Sequence, residues 1–212
     1  MTSTTSKTTR SPWLLRSAAA LLGAALLATP GLAEDSPDAI VRKTVDRVLE
    51  ILASKDESED QRRHRIEEIA YDRFDFATIS QLVLARHWSR FSPEQRQEFV
   101  EQFKIQLSKN YGTRIMRYNQ QRVEIVGQRV EPRGDVTVGT RIEGGSADGV
   151  EVDYRLRRLD QEKDGPWMVI DVIIEGVSLV SNYRSQFSEI LGRGSPDDLL
   201  RQLREKNAAS PA

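Results

Sequence analysis

Few side chains in this sequence have a type and placement that could do chemistry, and two of them sit close together. Asp171 is the one acid in an otherwise apolar stretch, Trp167 to Ile174, and Ser178 follows it across Gly176. A carboxylate among aliphatic side chains could act as a general acid or base. A serine at a tight corner could act as a nucleophile. Neither has the company such chemistry needs. Glu175-Gly176-Val177-Ser178 is not the strained Gly-x-Ser-x-Gly elbow, and the two histidines, His64 and His87, fall on polar or terminal helix positions. The competing reading of Asp171 is structural: it would accept a hydrogen bond from Arg184, Tyr183 or a backbone N–H and fix the corner. His87 has no carboxylate or second histidine at helical spacing, so no metal site is expected. No glycine-rich phosphate loop or cofactor motif occurs, and no cofactor is expected. The run Arg62-Arg63-His64-Arg65 is flanked by Glu59, Asp60, Glu67 and Glu68, the pattern of a solvated helix face.

Charge narrows the partners. The 212-residue chain carries 31 basic and 32 acidic residues and no cysteine. Lys7, Arg10 and Arg16 precede an apolar run from Ala18 to Ala28, and Gly31-Leu32-Ala33 offers small residues where a signal peptidase reads them. The run is too short to span a bilayer, so residues 1–33 are expected to be a cleaved export signal. With no cysteine after that run, a lipoprotein is not expected. Losing three basic residues and no acidic one leaves the mature chain at about −4, the wrong sign for nucleic acid or for charge-driven docking on an anionic membrane. A single domain is expected at 34–206, with a polar tail at 207–212. At that length one core closes without disulfides.

The elements that must position Asp171 and Ser178 are legible from periodicity. Ser36-Pro37-Asp38 opens a helix whose apolar face is Val41, Val45, Val48, Leu49 and Leu52. Ser58 to Gln61 is a capping box for a second helix, with Ile66, Ile69 and Ala70 inward. Asp75 caps a third, from Phe76 to about Trp88. Ser92-Pro93-Glu94-Gln95 starts a fourth that runs to about Tyr118, roughly 39 Å long, with Phe99, Phe103, Leu107, Tyr111 and Ile115 at intervals of four. From Arg122 the period becomes two. Strands are expected at 122–131 (with a bulge at Gly127), at 135–143, from Val150 to Arg157, and from Trp167. Gly176 then breaks the last strand, and Ser178 caps a helix carrying Val180, Tyr183, Phe187, Ile190 and Leu191. A short helix bearing Leu199, Leu200 and Leu203 closes the chain. Helices first and a meander later make an α+β fold, a four-stranded antiparallel curved sheet wrapped by several helices; the aromatic row of the long fourth helix could wall an apolar cavity between sheet and helices as well as plug it.

Asp-Val-x-x-Glu-Gly-Val-Ser-Leu-Val-x-Asn-Tyr-Arg-x-Gln-Phe, Asp171 to Phe187, resembles the signature of the MlaC (toluene-tolerance auxiliary) family. Phe74 to Trp88 and Ser92 to Tyr111 support the resemblance, which spans about Asp38 to Leu203. It implies a non-enzymatic periplasmic phospholipid carrier that maintains outer-membrane lipid asymmetry. The implied partners are phospholipid, an inner-membrane ABC transporter complex with its substrate-binding membrane component, and an outer-membrane lipoprotein complex, with no nucleic acid. The expected lipid lining is Val152, Tyr154, Met168, Ile170, Val172 and Ile174 of the sheet, with Phe103, Leu107 and Tyr111 of the long helix opposite. Two other readings remain from the residues: an exported protein-binding adaptor, and a small enzyme acting on an apolar substrate through Asp171 or Ser178.

Overall fold

A computed structural model describes residues 36–118, 121–159 and 165–209; the expected export signal lies outside these. Pro37 and Asp38 begin helix α1, Pro37–Ala53. Helix α2, Glu59–Arg73, carries both bonds of its capping box: Ser58 Oγ accepts from the Gln61 N–H, and Gln61 Oε1 accepts from the Ser58 N–H. The two helices close on each other through Ile51, Leu52, Ile66 and Ile69. Helix α3, Phe76–Leu84, is capped by Asp75, whose Oδ1 accepts from the Thr78 N–H at 2.9 Å.

The sequence carries this helix on to Trp88, but it stops at Leu84. Ala85 turns to φ 47°, and Ala85–Arg90 form a tighter 3₁₀ turn. Two tertiary bonds favour the early stop. Arg184 Nε donates to the Leu82 carbonyl at 2.9 Å, supplying an acceptor in the last turn with a partner. Arg90 at the end of the new turn donates to the Leu191 and Gly194 carbonyls. Helix α4, Pro93–Ile115, starts at a second complete capping box, Ser92 with Gln95, and ends three residues short of Tyr118.

Five strands follow, where four are expected. β1 (Arg122–Val130), β2 (Val136–Glu143), β3 (Glu151–Arg158), β4 (Trp167–Ile174) and β5 (Val177–Ser178) lie in that order, each antiparallel to the next. The extra strand comes from the turn. Glu175 at φ 49° and Gly176 at φ 76° are successive left-handed residues, which a two-residue hairpin turn needs. Gly176 therefore does not simply end the strand: the chain folds back and pairs Val177 with Ile174 before helix α5, Leu179–Arg193, begins. β1 is bulged between Ile125 and Gly127, as Gly127 suggests. A second irregularity, in β4, has no glycine to mark it: Arg155 pairs with Asp171 and Leu156 with Val169, leaving Ile170 as the extra residue.

Helix α6, Pro196–Ala209, continues past the expected start of a tail at 207. Asn207 is buried, and its Nδ2 donates to the backbone carbonyl and to Oε1 of Gln102 on α4, both at 2.9 Å, which holds the helix end down. The described residues belong to one compact unit with two main cores. One is helical, joining α3, α4, α5 and α6 through Phe99, Phe103, Phe187, Leu191 and Leu199. The other joins α1 to the sheet through Val41, Val136, Val138, Leu156, Trp167 and Val169.

The α6 cap gives a pH test. The Ser195 N–H and hydroxyl both donate to Asp198 Oδ2, at 2.9 and 2.8 Å. The backbone bond from Ser195, its hydroxyl and Arg201 hold the Asp198 carboxyl down at about 2. A carboxylate with a lowered folded value contributes its stability above its ordinary range and loses it as pH falls toward the folded value. Urea unfolding of the wild type is expected to lose part of its stability between about pH 4 and pH 2 through this group. Asp198→Asn should flatten that segment of the profile; an unaltered profile would detach Asp198 from the cap.

Candidate functional site

Asp171 and Ser178 meet, and they meet as a joint. Asp171 is 3 % exposed. Its Oδ2 accepts from Ser178 Oγ at 2.6 Å, and its Oδ1 from the Val180 N–H at 3.1 Å. Ser178 Oγ in turn accepts from the Ser181 N–H at 3.0 Å. Two free N–H groups of the first turn of α5 are thereby satisfied, and negative charge sits at the helix end that favours it. Arg155 of β3 reaches to 3.9 Å from the same carboxylate. The expected structural role is present, and of the three expected donors the backbone N–H is the one used, with the Ser178 hydroxyl added: Arg184 is turned to Leu82, and the Tyr183 hydroxyl accepts from Asn110.

The histidines stand apart from this joint. His87 is buried, with Arg86 donating to its Nε2 and an Arg90 nitrogen 3.2 Å from its Nδ1. Burial, then the positive charges of Arg86 and Arg90, lowers its pKa, so it stays neutral at physiological pH. His64 lies exposed beside Glu68. Among the described residues no group of three or more His, Cys, Asp or Glu is placed to hold a metal ion.

The sheet has one apolar and one charged face, and the β4 bulge decides which residues belong to each. Directly paired residues share a face. Val152 pairs with Ile174 and Tyr154 with Val172; beyond the bulge, Leu156 pairs with Val169 and Arg158 with Trp167. On the other side of β3, Tyr154 and Leu156 pair with Val138 and Val136. Met168 pairs with Arg157 and so falls on the opposite face from Val172 and Ile174, while Ile170 is the bulged residue and almost fully buried. Strict alternation along β4 would put all four together; the inserted residue separates them. The charged face carries Arg129, Asp153 and Arg155, and beside it Arg157 grips Asp135 with two bonds of 2.7 and 2.8 Å.

On the apolar face, β2 stays closed through Val136, Val138, Thr140 and Ile142, while one end of β3 and β4 is half-buried. Val138 and Leu156 are fully covered beneath Val41 of α1, with Ile40 and Val45 beside it. Val152, Tyr154, Val172 and Ile174 are only half-buried. Tyr154 is the informative one. The residue as a whole is half-buried, and burial pushes its hydroxyl up to about 12. The side chain packs against the edge of the closed sheet core and is only partly covered there.

The three α4 residues expected opposite this face sit in the helical core. Phe103 is buried, stacked on Phe99 with centroids 5.5 Å apart and edge-on to Tyr183 at 4.9 Å. Leu107 and Tyr111 are half-buried against the same cluster, while Ile115 reaches the α1–α2 core. The row turns from one core to the other because a step of four residues advances 40° beyond a full helical turn. Sequence reasoning did not assign α1 to the lining; its stripe of Val41 and Val45 was visible, but nothing in the sequence says which sheet face it covers. Also missed was a polar cluster of α4, α5 and α6 side chains around Tyr111, whose only trace is the spacing of four in Asn110–Arg114 and Asn182–Gln186.

The family model described as MlaC protein matches residues 42–205. The toluene tolerance protein ttg2D of Pseudomonas putida is 29% identical over 120 residues, 56% of this chain and 54% of that protein. The match therefore spans about half the length of that relative. The intermembrane phospholipid transport system binding protein MlaC of Haemophilus influenzae is 22% identical over 200 residues, covering 90% of this chain and 91% of the relative. A phospholipid-binding protein of Ralstonia solanacearum, solved in complex with a phospholipid, superposes with a TM-score of 0.71 at 28% identity, over 81% of this chain and 96% of that one.

Closed and open regions should differ in cost when truncated. Phe103→Ala, in the packed core, is expected to lose about 3–5 kcal/mol. Val152→Ala, at a half-buried position, should lose no more than about 1 kcal/mol. Equal losses in urea unfolding would mean that Val152 is as tightly packed as Phe103.

Proposed function

The chain belongs to the MlaC protein family, and from that premise we propose that it is a periplasmic phospholipid carrier. It encloses acyl chains over the half-open apolar face of the sheet and shuttles lipid between an outer-membrane lipoprotein complex and an inner-membrane ABC transporter with its membrane-bound substrate-binding component. Residues 1–33 are the export signal of this reading, and the carrier domain follows. The observation that carries the proposal is the apolar sheet face itself, which runs on from the closed core into half-buried Val152, Tyr154, Val172 and Ile174. A carrier needs such a face. Acyl chains in water cost about 0.8 kcal/mol per CH₂, so two chains of ordinary length cost on the order of 20 kcal/mol unless nearly all their surface is covered. Strands of eight residues extend roughly 26 Å, longer than the roughly 15 Å of half a bilayer's hydrocarbon.

The joint at Asp171 supports the carrier reading over catalysis. Both carboxylate oxygens are committed to the start of α5, and Ser178 donates its proton to that carboxylate, with no histidine beside it. On this reading the lining is Val152, Tyr154, Val172 and Ile174, closed at one end by α1, with Ile170 at the bulge. The charged face of the sheet keeps Met168 and Arg157 away from the chains.

The reading is tested by mass spectrometry of an organic extract of the mature protein, purified from periplasm with no lipid added. At least about one phospholipid per protein is expected. A folded protein free of lipid would turn attention to the adaptor reading. Val152→Trp should fill the space and lower bound lipid about twofold or more while leaving the fold intact. Leu107→Trp asks the same of the helix, and unchanged lipid in that folded variant would remove α4 from the lining.

A further inference from the structure

A pocket of about 320 Å³ opens where α4, α5 and α6 meet. Asn110, Tyr111 and Arg114 line it from α4, Asn182, Tyr183 and Gln186 from α5, and Lys206 from α6. Its chemistry is one-sided. No carboxylate lines it, and among the described residues neither Arg114 nor Lys206 has an acid within ion-pair distance. Neighbouring arginines on the same helices are matched: Arg193 with Glu189, Arg201 with Asp198, and Arg204 with Glu98.

The hydrogen bonds around the pocket engage both asparagine oxygens and leave amide hydrogens. Gln106 Nε2 donates to Asn110 Oδ1 at 3.0 Å, and Gln186 Nε2 donates to Asn182 Oδ1 at 3.2 Å. Both asparagine oxygens are thus engaged, and each NH₂ retains at least one hydrogen for a ligand. Asn110 Nδ2 spends its other hydrogen on the Tyr183 hydroxyl at 2.7 Å. Burial pushes that hydroxyl up to about 12. Arg114 is held over the Tyr111 ring, 5.9 Å from its centroid.

We propose that this pocket binds a phosphate group, with Arg114 and Lys206 neutralising it and the amides of Asn110, Asn182 and Gln186 donating to its remaining oxygens. A guanidinium fork and a mobile ammonium are the two side chains best suited to phosphate oxygens. The volume lies at the low end of small-ligand pockets, room for a phosphate with a small alcohol attached. The phosphate can come from free inorganic phosphate or from a phospholipid headgroup; the second source rests on the carrier reading above.

The test is isothermal titration of the mature protein, as purified and after detergent stripping with the fold checked by circular dichroism. The probes are inorganic phosphate and glycerophosphoethanolamine. Saturable binding of either probe is expected, weakened about tenfold or more in Arg114→Ala and in Lys206→Ala, both exposed positions, and abolished in the double variant. Binding of phosphate alone assigns the free anion, and binding of the diester assigns the headgroup. No saturable binding to stripped wild type, or binding that both substitutions leave unchanged, overturns the proposal. Lipid content of the same preparations is read separately. Lipid present without anion binding ends the phosphate site and leaves the carrier; anion binding without lipid does the reverse.

Discussion

The fold hangs on one buried carboxylate. Asp171 ties together four things: its own strand, the hairpin that returns as β5, the first turn of α5, and Arg155 on the neighbouring strand. A buried charge is tolerated only when its oxygens are bonded and its charge is met. Here a hydroxyl, a helix N–H, the positive end of a helix and an arginine do so. The direction in which α5 leaves the sheet is thereby fixed. The helical core follows from that direction, because Tyr183 and Phe187 on α5 are the rings against which Phe99 and Phe103 of α4 pack.

From this joint the molecule divides its apolar surface between two tasks. The helical core is closed: aromatic rings meet at 4.9 to 5.9 Å, edge-on, stacked or tilted, as close-packed interiors do. The sheet core is closed only where α1 lies across it. Beyond Leu156 and Val138 the same face continues into half-covered Tyr154, Val152 and Val172 without a change of residue type. Hydrophobicity therefore does not distinguish the closed part of this face from the half-covered part. What distinguishes them is which helix happens to lie above.

That is also why the sequence revealed the elements better than the site. Capping boxes at Ser58 and Ser92, the cap at Asp75 and the bulge at Gly127 are local, and each is where its residues say it should be. The α+β class and antiparallel order follow from period and turn residues. The β4 bulge does not: Val169, Ile170 and Val172 are all aliphatic, so nothing in the pattern records that one residue is extra, and Met168 was grouped with Val172 as a result. The early end of α3 and the docking of Asn207 depend on Arg184 and Gln102, roughly a hundred residues away in each case. The fifth strand was hidden in Glu175, a residue without the usual preference for positive φ.

Asp171 has a second consequence, earlier in the life of the chain. Trp167 to Ile174 is, apart from this one residue, an unbroken run of strand-forming apolar side chains with neither glycine nor proline inside it. Such a segment, displayed before the helices close over it, would pair with copies of itself. A single ionised carboxylate near its middle opposes stacking of like chains while the polypeptide is open, and once folded it disappears into the start of α5. The residue that locks the native corner is thus also the one that guards the chain against aggregation until the corner exists.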